Sequence, residues 1–250
     1  ISYIEKLYNS VKRNLTQPFN FYCLTTRPEE INNSDIISIA LEKDIMFEVG
    51  NKGWWYKSNL FDKHEWNGQV LYLDLDTVII GSLDKFFEWE VDKFRICQDF
   101  NRHTMPNYTV SNSSVMGFNA NTHTNFYNEF QEEKVENIRR HLGDQNWLTR
   151  ILGESKCWWP KEWAMSYKWE VLKGGLKRMG TEDYNSDITE LHKDTSVLVF
   201  HESYLIFLLP ILAFTQLFLV TEMVDFRVLL VMLAGFVYFP VSVFEIVRLT

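Results

Sequence analysis

Asp74 and Asp76 flank a single leucine within residues 70–80 (VLYLDLDTVII), the strongest strand signal in the chain. Side chains alternate faces along a strand, so both carboxylates are expected on one side. Two hard oxygen donors placed together suit Mg²⁺ or Mn²⁺, with phosphate oxygens completing the shell. An ion held there would neutralise a diphosphate and stabilise it as a leaving group. A solvated pair of aspartates at a strand end is the plain alternative, because D-x-D alone is a common triplet.

Two enzyme classes use such a pair. One transfers sugars from nucleotide donors. The other hydrolyses phosphate esters with the haloacid-dehalogenase signature D-x-D-x-T/V, which Asp74-Leu75-Asp76-Thr77-Val78 also fits. In that reading Asp74 would be the nucleophile and Asp76 the general acid/base. The surroundings separate the two. The hydrolase carries its motif on the first strand of its core, and here two predicted strands come earlier. It also needs a later acidic pair, and four residues beyond Asp144 stands Leu148.

The elements that must position these residues follow from periodicity. Ile4, Leu7, Val11 and Leu15 recur at helical spacing. Residues 19–25 (FNFYCLT), 36–41, 94–98, 114–118 and 197–200 read as strands, and 70–80 as one central strand apolar on both faces. Residues 53–61 (GWWYKSNLF), 121–140 and 144–152 read as helices, with Gly143 and Gly153 as breaks. Helices interleaved with strands predict an α/β layer fold with a mixed, mostly parallel central sheet. Ligands of such sheets bind beyond the carboxyl ends of the strands, where Asp74 and Asp76 fall.

Composition bounds the rest. The 250 residues are 46% hydrophobic and 23% charged, enough for a real core and unlike a disordered chain. A net charge of -8 leaves no strong basic patch for a nucleic-acid backbone. Cys23, Cys97 and Cys157 are too few and too scattered for a disulfide framework, which fits a reducing, cytoplasmic setting. The chain opens on Ile1 without a secretory signal, which reads as a fragment or a processed chain.

Charge collapses after Glu202. Two apolar runs, 204–220 and 228–247, predict an apolar helical tail at residues 203–250, a two-helix transmembrane hairpin that would anchor a catalytic domain of residues 1–202. A buried helical pair and an out-of-frame translation are the other readings of this tail.

Five segments taken in order, GWWYKSNLF, GQVLYLDLDTVIIGSLD, NSSVMGF, GDQNWL and VLVFH, resemble bacterial and phage glycosyltransferases similar to family 8, the glycogenin-like group with the GT-A fold. The resemblance covers most of residues 1–201. It implies a nucleotide-sugar donor such as a UDP-sugar, a Mn²⁺ or Mg²⁺ ion, and transfer to a hydroxyl of a glycan or other acceptor, usually with retention.

Carried over by position, Asp76 would bind the metal directly and Asp74 would share the metal and the donor ribose. His201 would be the third ligand. Lys57 would meet the diphosphate or donor sugar, and Asn112, Ser113 and Ser114 would line that sugar. Asp144 and Gln145 would hold sugar hydroxyls. Without the family, Lys57 reads as a solvated charge, residues 112–114 as a turn, Asp144 as a helix cap, and His201 as a structural histidine. Most tryptophans read as core, with residues 157–163 as a wall for the acceptor.

The chain departs from the family pattern twice. The family's opening apolar strand is not present before the helix at Ile4, and the His-Gly continuation is replaced by His201-Glu202 and the apolar run. These departures motivate one more reading, a non-catalytic membrane protein with a transferase-like fold.

Overall fold

The structure is a computed structural model that describes residues 2–48, 52–103, 105, 107–171, 191–200 and 243–249. Helix α1 (Ser2–Asn14) leads into β1 (Phe19–Thr25) and β2 (Ile36–Ala40), followed by a short α2 (Ile45–Glu48) and a 3₁₀-helix, Gly53–Phe61. Then come β3 (Gln69–Leu73), β4 (Thr77–Ile79), β5 (Phe94–Gln98) and β6 (Ser111–Asn119). Helices α3 (Thr124–Glu132), α4 (Lys134–Arg140) and α5 (Asp144–Leu152) precede three short strands, β7 (Lys156–Trp158), β8 (Ala164–Ser166) and β9 (Val197–Val199). A π-helical turn, Tyr167–Val171, follows β8, and β10 (Val243–Leu249) is the last element.

Seven strands form one sheet in the order β2-β1-β10-β3-β6-β5-β7, and β4-β9-β8 form a second. In the large sheet only the β1–β2 and β5–β7 pairs are parallel; the other four are antiparallel. The sheet is mixed, as expected, but mostly antiparallel rather than mostly parallel. The period of apolar residues reports which faces are covered and carries no information on the direction of a neighbouring strand.

Strand alternation divides the core in two. Leu71 and Leu73 face one apolar cluster with Cys23, Val11 and Val199, while Val70 and Tyr72 face another with Trp55, Phe61, Phe118 and Trp147. The first cluster takes the apolar stripe of α1. The second takes the 3₁₀-helix, α3 and α5. Burial on both faces explains why β3 reads as a continuous apolar run.

Three expectations change. Residues 70–80 are two strands in two sheets, because the chain turns at Asp74: Thr77 returns its backbone N–H to the Asp74 carbonyl at 3.1 Å and its hydroxyl to the same oxygen at 2.7 Å. The predicted helix 121–140 breaks at Glu133 into α3 and α4. The predicted helical tail falls largely on residues outside those described, but its end is overturned: residues 243–249 are a strand, hydrogen-bonded between β1 and β3. The Cα register pairs Cys23 with Glu245 and Glu245 with Leu73. A segment read as apolar helix from its hydropathy is thus a strand interior to a sheet, where a continuous apolar run is equally at home. Among the described residues no helix is long and apolar enough to cross a membrane.

Candidate functional site

The site is assembled where β3 ends, beside β6 and the start of α5. Asp74 prolongs the ladder by donating its backbone N–H to the Ser114 carbonyl at 2.9 Å. On its other side β6 loses register with β5: Ile96 is opposite Met116, yet Cys97 is opposite Asn112. This bulge lies at Ser113, Ser114 and Val115. Bulges re-aim side chains near functional sites, and this one sends the Ser113 hydroxyl to Asp144 Oδ2 at 2.5 Å.

Lys57 enters from the 3₁₀-helix. Only 5% exposed, its ammonium lies 2.8 Å from Asp74 Oδ1 and 2.9 Å from Oδ2, donates to Ser113 Oγ at 3.0 Å, and sits 3.6 Å from Asp144 Oδ2. Tyr72, two residues before Asp74 on the same strand face, donates its hydroxyl to Asp74 Oδ1. The Lys57 ammonium also stands 5.5 Å from the centre of the Tyr72 ring. One buried cation thus bridges two carboxylates and a serine drawn from three separate segments.

The electrostatics follow. Burial by itself pulls the Lys57 pKa down, but the charges of Asp144, Asp74 and Asp76 outweigh it and hold the pKa above its ordinary value, so the ammonium stays protonated. Burial pushes the Asp144 carboxyl up, against the opposing pull of Lys57 and of the Ser113 hydrogen bond. A site with one cation among three carboxylates can accept a further positive charge, or exchange internal bonds for a polar ligand.

Lys57, Asp74, Ser113 and Asp144 are therefore in mutual contact. Asn112 and Ser114 are buried beside them, with Asn112 Oδ1 accepting the Ser114 N–H at 3.0 Å. Asp76 follows in the turn, and its carbonyl accepts the N–H of Phe200 at 2.9 Å. Gln145 lies in the first turn of α5, half-buried. His201 lies outside the described residues. Trp159 is 1% exposed core, and the Trp163 carbonyl accepts the backbone N–H groups of Ser196 and Val197 at the start of β9.

Two carboxylates with room for phosphate oxygens are a chemically sound donor set for Mg²⁺ or Mn²⁺. Among the described residues, no group of three or more His, Cys, Asp or Glu side chains is arranged to hold a metal. Asp74 is held by Lys57 and Tyr72. Tyr72 was missed by sequence reading, although its two-residue spacing from Asp74 on one strand signals a shared face.

No family model matches the chain, and no curated protein matches it by sequence. Solved structures do. The apo-form glycosyltransferase GlyE of Streptococcus pneumoniae TIGR4 aligns with 81% of this chain and 52% of its own length, at 15% identity and a TM-score of 0.54. The galactosyltransferase LgtC, solved with donor and acceptor sugar analogs, aligns with 69% of each chain at 12% identity and a TM-score of 0.48. The chain spans about half the length of the GlyE structure, and what it shares with it is the fold.

Proposed function

We propose that this chain transfers a sugar from a nucleotide-diphosphate donor, a UDP-sugar, to an acceptor hydroxyl, with Mn²⁺ or Mg²⁺ held by Asp76 and shared by Asp74. The observation that carries this reading is the convergence of Lys57, Asp74, Ser113 and Asp144 where β3 stops, on a fold shared with a glycosyltransferase. Lys57 is a fixed, protonated donor aimed at a site that must receive a polyanion. Asp144 and Gln145 at the opening of α5 supply an acceptor and an amide for sugar hydroxyls. Ser113 holds the Asp144 carboxylate in place. The bound ion would supply charge neutralisation for the departing diphosphate. His201 is proposed as its third ligand. Retention at the anomeric carbon is proposed from the family resemblance.

The phosphohydrolase reading is weaker on this geometry. Its nucleophile would be Asp74, whose carboxylate is bound by Lys57 and Tyr72, and its motif follows the third strand rather than the first. Calorimetric titration of the chain with UDP and Mn²⁺ tests the transferase reading. Saturable heat that disappears in Asp76→Asn supports it; absence of heat in the wild type overturns it.

A further inference from the structure

Lys57 has a neighbour on its own helix that the polar cluster does not use. A 3₁₀-helix has three residues per turn, so side chains three apart eclipse one another. Trp54 and Lys57 therefore share one edge of the helix Gly53–Phe61. Lys57 turns inward to Asp144, 3.6 Å away. Trp54, one turn earlier, lies over the residue before it: a Cβ placed on Gly143 would be 3.4 Å from the indole Nε1 and 3.7 Å from Cδ1. The indole edge thus lies next to the backbone that leads into Asp144 and Gln145.

Trp54 is nonetheless 39% exposed, and Leu142, the residue before Gly143, is 91% exposed. Its partner in the sequence, Trp55, is 1% exposed and stacks on Phe130. Of the adjacent pair, one indole builds the core and the other is left at the rim of the Lys57–Asp144 cluster. The half-buried Gln145 makes no side-chain hydrogen bond among the described residues.

An aromatic plane bordering a carboxylate and an amide matches one ligand class closely. A pyranose has an apolar C–H face and a rim of hydroxyls. The face lies on an indole, and the hydroxyls take the carboxylate and amide. We infer that Trp54 is the aromatic wall of the sugar subsite already proposed for Asp144 and Gln145, with the pyranose ring stacked on its indole. This rests on the transferase reading for the choice of probe. The ring could belong to the donor or to the acceptor.

The test compares wild type, Trp54→Ala and Trp54→Phe, each checked for an unchanged melting profile. UDP, UDP-glucose and UDP-galactose are titrated calorimetrically with Mn²⁺, and methyl glucopyranosides and galactopyranosides are followed by saturation-transfer NMR with UDP present. A donor ring predicts that Trp54→Ala binds UDP as wild type does but binds a UDP-sugar about 3- to 10-fold more weakly, in the range of aromatic stacking contacts. An acceptor ring predicts unchanged UDP-sugar binding and loss of methyl-glycoside saturation transfer. Trp54→Phe should retain most of either effect. If Trp54→Ala changes neither, the subsite is refuted while UDP binding by the wild type keeps the transferase reading. If wild type binds no UDP yet shows Trp54-dependent glycoside saturation, the subsite stands and the transferase reading falls. If wild type binds neither, both fall.

Discussion

Trp159 donates its indole N–H to the Val115 carbonyl at 3.2 Å, at the bulge where β6 slips against β5. The ring passes over Gly117: a Cβ there would be 2.7 Å from Trp159 Cζ2 and 3.1 Å from Arg95 Cζ. Trp159, 1% exposed, thus braces from behind the strand that presents Ser113 to the site.

Gly117→Ala is expected to destabilise the fold by about 1–3 kcal/mol, the usual cost of forcing extra volume into a packed core. The Trp159 ring is held in place, since it also packs edge-on to Phe86 at 4.9 Å. Urea denaturation of the variant measures the loss, and an unchanged midpoint would contradict the packing described.

Lys57→Met should cost about 3–5 kcal/mol, because it leaves the buried Asp144 and the half-buried Asp74 without their cation. Adding Asp144→Asn should recover part of that loss, with a coupling of about 0.5–3 kcal/mol in a double-mutant cycle. Strict additivity would show that the 3.6 Å contact carries no energy.

Stability should decline as pH falls from neutrality to about 5. Burial lowers the pKa of His123, which stacks on Phe126 at 4.8 Å and meets Phe94 edge-on, below its ordinary value of 6.5. Burial likewise lowers His64, against the opposing hydrogen bond of its Nε2–H to the Asn59 carbonyl. A base with a depressed folded pKa contributes stability that is complete above its unfolded pKa and is lost as pH falls from there through its folded pKa. His123→Phe should therefore flatten part of the decline, as read from melting temperatures across that range.

Ile246→Pro should destabilise by at least about 1–3 kcal/mol, since it removes a ladder N–H from a strand paired on both sides and leaves a partner carbonyl unsatisfied. A variant as stable as the parent would show that residues 243–249 are not in the sheet.

Much of this architecture is legible in the residues. The stripe Ile4, Leu7, Val11 and Leu15 gives α1, and the run at residues 70–73 gives the central β3, because burial imposes period 3.6 on one and two-sided apolarity on the other. The candidate site is legible only by its members. Lys57 alone resembles any solvated helix lysine, and its burial depends on a bulge in β6 that no local pattern announces. The Asp74 turn was hidden because Leu75 and residues 78–80 continue the apolar run, while the closing hydroxyl of Thr77 is a single atom. β7 and β8 have three residues each, too few for a period. β10 was hidden inside a hydropathy signal long enough to read as helix.

The placement of β10 also dictates an order of events. On a ribosome, β1 and β3 emerge long before residues 243–249, and those residues separate them in the finished sheet. Neither can reach its final neighbour until that late segment threads between them. The nascent chain must therefore hold two unsatisfied strand edges apart until residues 243–249 have been made, a state inviting chaperone capture or intermolecular pairing.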